Sequence, residues 1–380
     1  MKMELNAEQK KDQAAFRAVV SKEIVPHADE YDRQERVPFD LIKRLGREGY
    51  LGATLPTEYG GRAMDMITYG LLNEELGRGC SSVRALVMLQ NMIGQTILRW
   101  GNRDQKGFWL NKLASGEALA SFALTEPDVG SDASNVQTAA RPAGDNYIIN
   151  GRKKWITLGQ IADLFLVLAQ WEGQPCAFLV EKDTPGLSIN PLFGMLGARA
   201  SLLAELHFDD CPVPAENLVG AMGFGLAPVA FLALNIGRYS VAWGCVGIAQ
   251  ACLEACIDHT SKRKQFGVYL KEHQLIKHMI ADMVVKVKAG RLLCIRAGSS
   301  MEAGDPSSVT ETMVAKYFAS QMASEIANDA VQIHGALGCS REHGVERYLR
   351  DAKVMEIIEG TTQILQMKIA EYAYQEHGDK

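Results

Sequence analysis

Apolar positions along the chain change their spacing twice. From Asn6 to about Ser115 they recur three and four residues apart, as in Phe39 to Glu48 and Met66 to Leu76, which predicts helices with one buried face. The Gly60-Gly61 pair interrupts this pattern, and no alternation typical of strands accompanies it. The first part of the chain is therefore predicted to be helical.

Between about Ala118 and Leu218 the apolar runs become short and are separated by Gly, Pro, Asp and Asn. Short runs bounded by turn residues predict strands, so we expect a central antiparallel β domain. The clearest runs are Tyr147 to Ile149, Leu164 to Leu168, Ala177 to Val180 and Ala204 to Phe208.

Helical periodicity returns after Gly225 and continues to the end of the sequence. The segments are Gly237 to Thr260, His273 to Ala297, Ser307 to His334 and Thr361 to Tyr374. The fold class is thus predicted as mainly α with a central antiparallel β domain. We expect an N-terminal helical domain over 1–117, a β domain over 118–222 and a C-terminal helical bundle over 223–380.

The order of elements also excludes some nucleotide-binding folds. No G-x-G-x-x-G follows a predicted strand, so a dinucleotide held by a βαβ unit is not indicated. A net charge of -5 over 380 residues is mild and argues against a nucleic-acid partner or a membrane surface. The protein is expected to bind a small molecule or another protein.

Features of the sequence that bear on its compartment point to the cytoplasm. The longest apolar stretch, around Gly225 to Ile236, is too short to span a bilayer, and Met1 to Lys11 does not resemble a secretory signal. The eight cysteines form no C-x-x-C pair and no cluster with histidine. We therefore expect buried thiols in a reducing cytosol, with neither a disulfide framework nor a metal site.

Two stretches of the central domain carry candidate chemistry. The run from Phe122 to Asp132, FALTEPDVGSD, reads as a strand ending in a turn whose N–H groups and hydroxyls could cradle a pyrophosphate or a flavin edge. In the run from Tyr147 to Thr157, YIINGRKKWIT, Trp155 and Thr157 would share one strand face. Taken singly, each stretch is more often an ordinary turn or an ordinary core aromatic residue.

Together these stretches resemble the middle domain of the acyl-CoA dehydrogenase family, whose pattern is T-E-P-x-x-G-S-D followed by N-G-x-K-x-W-I-T. The resemblance extends over nearly the whole chain, with several further motifs in the same order. They are Leu196 to Ser201, Glu205 to Phe208, Arg263 to Gly267 with Gln274, Asp329 to Gly335, and Arg350 to Ile364.

The resemblance implies an FAD cofactor held by residues from two parts of the chain. Those that would line the flavin are Phe122, Leu124, Thr125, Gly130, Ser131, Trp155 and Thr157. Those that would hold FAD across a subunit interface are Arg263, Phe266, Gln274, Gln332, Gly335, Thr361 and Gln363. A complete site would then require a homodimer or a homotetramer.

The same resemblance selects Glu359, in the E-G-T pattern, as the catalytic base, with Glu356 as a nearby carboxylate of the same type. Two isoleucines precede Glu359, and a carboxylate among apolar groups is a stronger base than an exposed one. Without the resemblance, an exposed acid near a helix end would be the better interpretation. One branch of the family carries its base just before the conserved arginine, here at Gly237, and glycine excludes that branch.

The implied reaction is removal of an α-proton from an acyl thioester by Glu359, coupled to hydride transfer from the β-carbon to flavin N5. The thioester oxygen would be bonded by the N–H of Glu359 and a ribityl hydroxyl of FAD. Residues expected to contact the substrate are Ser131, Asn235, Arg238, Gly360 and Gln90. The electron acceptor would be an electron-transfer flavoprotein or oxygen.

Departures from the fatty-acid enzymes of the family bear on the substrate. Ile358 stands where an aromatic residue often precedes the base, and Asn235 stands where an acidic residue contacts pantetheine. Three segments look closest to a biosynthetic branch that makes hydroxymalonyl or methoxymalonyl extender units on an acyl carrier protein in polyketide pathways. They are Cys80 to Val83, Arg238 to Ile248 and Arg350 to Glu359.

That resemblance implies a three-carbon polar acyl group on a carrier protein, oxidised at an aldehyde carbon. Glu359 would then remove either the α-proton or a proton of the aldehyde hydrate. The alternatives are a short-chain acyl-CoA dehydrogenase that forms an α,β double bond, and a flavoprotein scaffold without catalysis.

Two further sets of residues have two interpretations each. Gln90 and Asn91 would bond a polar acyl group or join helices. Arg347, Arg350 and Lys353 would form a basic docking face for a carrier protein, a solvated face or a set of ion pairs.

Overall fold

A computed structural model describes residues 4–378, so most of the segment from Met1 to Lys11 is included and residues 1–3 lie outside the described part. The N-terminal part is helical, as predicted. Its helices are α1 (Ala7–Glu23), α2 (Ala28–Gln34), α3 (Phe39–Arg47), α4 (Met66–Gly79), α5 (Ser81–Trp100) and α6 (Arg103–Ser115). Asn6 caps the start of α1, because its side chain accepts the N–H of Gln9 at 2.8 Å.

The central part is a seven-stranded sheet with strand order β1-β4-β2-β3-β7-β6 and with β5 paired to β4. Its strands are β1 (Ala120–Ala123), β2 (Ala139–Ala143), β3 (Asn146–Ile156), β4 (Leu164–Trp171), β5 (Gln174–Glu181), β6 (Leu187–Pro191) and β7 (Ala204–Pro214). All four predicted apolar runs lie in these strands.

The expectation of a purely antiparallel domain is wrong at β1. Strand β1 pairs in parallel with β4, with Ala120 opposite Leu164, and β2 adds one parallel contact to β4. The first six residues of β4 are buried without interruption, as in strands covered on both faces. The continuous apolar run Leu164 to Leu168 is typical of such a strand.

The C-terminal part is again helical. Its elements are α7 (Phe231–Lys262), the hairpin strands β8 (Lys264–Gln265) and β9 (Val268–Tyr269), α8 (Gln274–Glu302), α9 (Ser308–His334), α10 (Val345–Met355) and α11 (Thr362–Gly378). Helix α10 and the hairpin were not predicted; the two-residue strands of the hairpin are too short to show a period. The three-part fold class is confirmed, and the domain boundaries at 117 and 222 stay predictions.

Helix α7 lies at the centre of the molecule and packs against α4, α5, α8 and α9. Together with the turn before it, Gly225–Lys262 is 38 residues long and apolar enough by length and composition to cross a membrane, contrary to the sequence expectation. Because 78% of its most apolar window is buried against the rest of the protein, packing accounts for this composition. Helix α7 is therefore a central core helix, and residues from several other elements contact it.

The cysteines are free thiols, and all except Cys339 are buried. Burial raises the pKa of buried thiols such as Cys245, to about 12. These side chains act as small apolar core residues.

Candidate active site

Glu359 lies in the short loop between α10 and α11. Its backbone has φ 56° and Gly360 follows with φ 96°, so the chain reverses sharply here. The Nε of Arg238 on α7 donates to the carbonyl oxygen of Glu359 at 3.0 Å, and the Nζ of Lys316 on α9 donates to that of Gly360 at 2.8 Å. Two cations on neighbouring helices thus fix the loop that carries the acid.

The carboxylate of Glu359 points at α7 where that helix has a glycine. A Cβ on Gly237 would lie 2.5 Å from Glu359 Oε2, closer than real Cβ atoms approach. Oε2 is buried and has no hydrogen-bond partner in residues 4–378. Burial raises the pKa of Glu359 to about 7, although Arg238, Arg84 and Lys316 act to lower it. The acid is therefore unpaired and poised to exchange a proton near neutral pH.

Glu356, one turn earlier, has a different environment. Its Oε1 accepts the hydroxyl of Ser324 at 2.6 Å, and Lys353 lies 3.5 Å from Oε2. A carboxylate with these partners is tied to the surface of α9. Of the two acids, only Glu359 has the buried and unbonded carboxylate that a base for a carbon acid requires.

The backbone N–H of Glu359 is also available. It makes no hydrogen bond with the described part of the chain, while the preceding N–H of Ile358 bonds Val354 at 3.1 Å. The left-handed turn at Glu359 separates this donor from α10. The donor that the resemblance assigns to the thioester oxygen is present.

The two flavin motifs of the β domain meet at one end of the sheet. The N–H of Lys154 donates to the carbonyl oxygen of Thr125 at 2.9 Å, and the buried Nζ of Lys153 donates to Leu124 at 2.9 Å. Lys153 also pairs with Glu126 at 2.8 Å. The turn after β1 is therefore fastened to the end of β3, which brings the segments 122–131 and 155–157 together.

Trp155 is displayed by an irregular strand end, not by the regular alternation expected from the sequence. Its φ is 61°, and the register of β3 with β7 shifts between Lys153 and Ile156. Trp155 is 47% exposed while Ile156 is buried, so the bulge turns the indole outward. Thr157 lies just beyond the strand and is partly exposed.

The structure offers surfaces that fit FAD. Trp155 is 47% exposed, with the Nζ of Lys154 5.0 Å from the centre of its ring, and Gly130 and Ser131 in the turn after β1 are exposed as well. An exposed aromatic ring and an exposed polar turn suit a planar ring system with a polar edge. Phe266 lies at the tip of the β8–β9 hairpin with φ 53° and is 95% exposed. A side chain so exposed within one chain suits contact with a second copy, as the resemblance implies.

The other residues expected to hold FAD lie near the ends of the C-terminal helices. Arg263 precedes the hairpin and Gln274 begins α8. Gln332 lies in the last turn of α9 and Gly335 follows that helix, while Thr361 precedes α11 and Gln363 lies in its first turn. Of these, Arg263, Gln274, Gln332, Gly335 and Gln363 are exposed. They stay candidates for contact with a cofactor.

Gln90 joins helix α5 to strand β1 through hydrogen bonds. Its amide bonds both backbone groups of Ala120, donating at 3.1 Å and accepting at 3.0 Å. Asn91 bonds the carbonyl of Tyr50 and accepts the N–H of Thr54, both at 2.9 Å. The geometry favours the packing interpretation of both residues, because each amide is already engaged at two ends.

Arg238 and Asn235 have separate roles at the start of α7. Arg238 donates to the carbonyl oxygen of Glu359, so it holds the loop that carries this acid. The Oδ1 of Asn235 is buried and has no partner in residues 4–378. A buried amide oxygen without a partner is available to a ligand donor such as a pantetheine N–H.

The basic residues of α10 are engaged in ion pairs, and the structure does not display them as a docking face. Arg347 is 5% exposed and bonds Asp29 at 2.8 Å. Arg350 bonds Asp32 at 2.7 Å and Glu346 at 2.7 Å. These arginines tie α10 to α2, and Lys353 alone of the three stays exposed.

Arg84 near the base was not identified from the sequence. It lies on α5, is 1% exposed, and donates to the Oγ of Ser240 on α7 at 3.0 Å. The signal that could have found it is one basic residue within the apolar run VRALVML.

All three parts of the chain are similar to known proteins. Residues 6–117, 121–211 and 225–374 match the sequence profiles of the acyl-CoA dehydrogenase N-terminal, middle and C-terminal domains. A probable acyl-CoA dehydrogenase of Bacillus subtilis, YngJ, is 40% identical over 97% of this chain and 99% of its own length. The mitochondrial short-chain specific acyl-CoA dehydrogenase of Rattus norvegicus is 37% identical over 93% of this chain and 87% of its own.

Two solved structures are also informative. A glutaryl-CoA dehydrogenase of Mycobacterium smegmatis in complex with FADH2 has a TM-score of 0.93 and 31% identity, covering 97% of this chain and 95% of that one. FkbI, which serves biosynthesis of the methoxymalonyl extender unit of a polyketide immunosuppressant, has a TM-score of 0.87 and 35% identity, covering 96% and 99%.

Proposed function

The chain belongs to the acyl-CoA dehydrogenase family of FAD-dependent oxidoreductases, and we propose that it oxidises a small, polar acyl group on an acyl carrier protein with Glu359 as base. The observation that carries the proposal is the buried, unbonded carboxylate of Glu359 against Gly237. A desolvated carboxylate with a pKa of about 7 is matched to proton abstraction at neutral pH.

The residues of this chain supply position and proton transfer. Arg238 and Lys316 hold the loop, Glu359 takes the proton, and the N–H of Glu359 bonds the thioester oxygen. FAD, when bound, supplies the hydride acceptor. For a saturated acyl group the proton leaves the α-carbon; for an aldehyde hydrate it leaves a hydroxyl, and the carboxylic acid is the product.

The size limit on the acyl group follows from Arg84. Its side chain lies across α7 so closely that a Cβ on Gly244 would be 2.3 Å from Arg84 Cδ. The Arg84 side chain thus occupies the face of α7 two turns beyond Gly237. We infer that an acyl chain starting beside Glu359 does not extend along this face of the helix, which favours a short acyl group over a long fatty one.

The preference for a carrier protein rests on the sequence similarity to the extender-unit branch, on Asn235 in place of an acid, and on similarity to FkbI. A specific observation favours a second candidate, a short-chain acyl-CoA dehydrogenase that forms an α,β double bond: the chain is 37% identical to the short-chain specific enzyme. Both candidates share the base and the flavin site.

We also propose a homo-oligomer and transfer of electrons to an electron-transfer flavoprotein or oxygen. Phe266, Leu275 and Val285 are 95%, 78% and 65% exposed on the hairpin and α8, which suits an interface with a second copy. Assembly would bring Phe266 of one copy to the cofactor of the other.

The experiment is anaerobic reduction of the enzyme-bound flavin by matched acyl groups on CoA and on carrier protein, including a three-carbon hydroxy-aldehyde. Bleaching only by the carrier-bound polar group supports the extender-unit proposal. Bleaching by butyryl-CoA supports the short-chain candidate instead. An intact flavin with no bleaching by any acyl thioester would contradict both.

A further inference from the structure

Lys316 on α9 is a buried cation beneath the loop that carries Glu359. Its side chain is fully buried, and its Nζ donates to the carbonyl oxygen of Gly360 at 2.8 Å and to that of Glu356 at 3.5 Å. One carbonyl group lies three residues before Glu359 and the other lies one residue after it. A single ammonium group therefore bonds both ends of the loop.

The loop is also closed on itself at Glu356. The carbonyl oxygen of Glu356 accepts the backbone N–H of Thr362 at 3.0 Å and the hydroxyl of the same residue at 3.4 Å. Its side chain accepts the hydroxyl of Ser324 on α9 at 2.6 Å. Glu356 is thus fixed through its backbone and its side chain, while the carboxylate of Glu359 lies against Gly237 of α7.

Lys316 differs from Lys153, the buried lysine of the β domain, in having no carboxylate partner. Lys153 pairs with Glu126 at 2.8 Å, whereas no carboxylate oxygen of residues 4–375 lies within 4.0 Å of the Nζ of Lys316. The carbonyl oxygen of Glu356 lies at the C-terminal end of α10, where the helix dipole stabilises a cation. Carbonyl groups therefore hold the charge of Lys316 in the core, and no acid neutralises it.

Charged groups face Glu359 from three helices. Burial raises the pKa of Glu359 to about 7, and Arg238 of α7, Arg84 of α5 and Lys316 of α9 oppose this rise. A charge in a core with a low effective dielectric constant acts more strongly than it does in water. The unneutralised ammonium group of Lys316 therefore favours the carboxylate form of Glu359.

Lys316 keeps its charge in the pH range where Glu359 ionises. Burial lowers the pKa of Lys316 to about 8, and Arg238 lowers it further, while Cys245, Glu359 and Glu356 act to raise it. Its pKa is still above that of Glu359. Near pH 7 the ammonium group is therefore mostly protonated while the acid exchanges its proton.

We propose that Lys316 is a positioning residue that makes Glu359 available as a carboxylate near neutral pH, because it clamps the loop through two carbonyl groups and places an unneutralised charge beside the acid. This inference rests on the proposed function and deepens it by assigning the control of the base. No proton passes through Lys316 in this role. The ammonium group stays charged while Glu359 takes its proton from the substrate.

Three substitutions separate the charge of Lys316 from its hydrogen bonds. Lys316→Gln removes the charge and keeps an amide donor, Lys316→Met removes both, and Lys316→Arg keeps the charge. The control is Lys368→Gln on α11, where the side chain is 51% exposed in its pair with Glu371. For each flavin-loaded protein, the rate of anaerobic flavin reduction is measured from pH 5 to 9 with the acyl thioester that bleaches the wild-type flavin.

Lys316→Gln and Lys316→Met should raise the midpoint of the pH profile by about one pH unit or more, because an opposite charge nearby lowers the pKa of a carboxyl group by that amount. Lys316→Met should also lower the limiting rate at high pH about tenfold, since the loop loses its clamp. Lys316→Arg and Lys368→Gln should keep the wild-type midpoint.

An unchanged midpoint in both neutral variants, with only the rate lowered, would give Lys316 a purely structural role and overturn the proposal. If the neutral variants do not fold, Lys316→Arg decides. A raised midpoint with the charge still in place would assign the midpoint to the shape of the loop, which also overturns the proposal.

A second measurement needs no turnover and separates this proposal from the proposed function. Folded Glu359 keeps its proton up to about pH 7 and unfolded Glu359 loses it near 4.5, so wild type loses stability across this window and Glu359→Gln does not. When both proteins also carry Lys316→Gln, the window should extend about one pH unit higher in denaturant unfolding.

The two proposals can fail separately. An unchanged window in an enzyme whose flavin is reduced by acyl thioesters would contradict the role of Lys316 alone. A window that extends to higher pH in an enzyme whose flavin no acyl thioester reduces would contradict the proposed reaction and support the control of Glu359 by Lys316.

Discussion

The carboxylate of Glu359 lies against the α-carbon of Gly237, and a methyl group at position 237 would come within 2.5 Å of Oε2 and 2.6 Å of Cδ. The two residues come from elements far apart in the sequence, the loop before α11 and the second turn of α7. The absence of a side chain at position 237 is therefore part of the geometry that places the base.

Gly237→Ala should displace the carboxylate and lower kcat/KM about 100-fold or more, because a misplacement near 1 Å can cost that much. Flavin content should be unchanged. The matched control is Gly107→Ala on α6, where an added Cβ has no atom within 4 Å. Full activity of Gly237→Ala would show that the carboxylate is not held in this position for catalysis.

Glu359→Gln should retain flavin and lose turnover about 100- to 10,000-fold, as expected on removing a general base. The control is Glu356→Gln, which removes a bond to Ser324 but no buried acid. Flavin reduction under anaerobic conditions measures both variants. Equal losses of flavin reduction in the two variants would contradict the assignment of Glu359, and not Glu356, as the base.

The pH dependence of kcat/KM should follow the ionisation of the Glu359 carboxylate in the free enzyme. Since burial raises the pKa of Glu359 to about 7, the active ionised form is lost as the pH falls through that value. The rate should rise with pH up to about 7 and then level off. A profile that stays flat from pH 5 to 8 would exclude a base with this environment.

The free energy of unfolding should also depend on the ionisation of Glu359, but it should fall with rising pH where the rate increases. Glu359 keeps its proton in the folded protein up to about pH 7 but loses it near 4.5 when unfolded, so raising the pH through that window lowers the free energy of unfolding. Glu359→Gln lacks this loss and should gain stability relative to wild type by up to about 3 kcal/mol between pH 4.5 and 7. Denaturant unfolding across this range measures the gain. A pH-independent difference between the two proteins would contradict it.

Lys153→Met should destabilise the flavin end of the sheet. It leaves Glu126 buried and without its cation, which costs about 3–5 kcal/mol, and it releases Leu124. Flavin affinity should fall with stability. The neighbouring Arg152→Ala, whose side chain is 56% exposed in its pair with Glu205, should cost about 1 kcal/mol or less. Similar effects of the two substitutions would contradict a fastening role for Lys153.

The sequence by itself determined the three-part order of elements and the flavin chemistry, and it predicted Glu359 as the base. Helix and strand periods depend on neighbouring residues, so short apolar runs such as Leu164 to Leu168 predicted strands directly. Short motifs such as E-G-T carried the chemistry in the same local way, and Glu359 could be chosen over Glu356. Similarity to known proteins then confirmed the family.

The tertiary structure alone decided which distant residues meet. Arg84 and Ser240 are 156 positions apart and touch because α5 crosses α7, a contact that no local pattern encodes. The bulge at Trp155 and the parallel pairing of β1 with β4 also depend on partner strands. Side-chain burial, and with it the raised pKa of Glu359, is a property of the packed core, which explains why the sequence predicted the base but not the cation beside it.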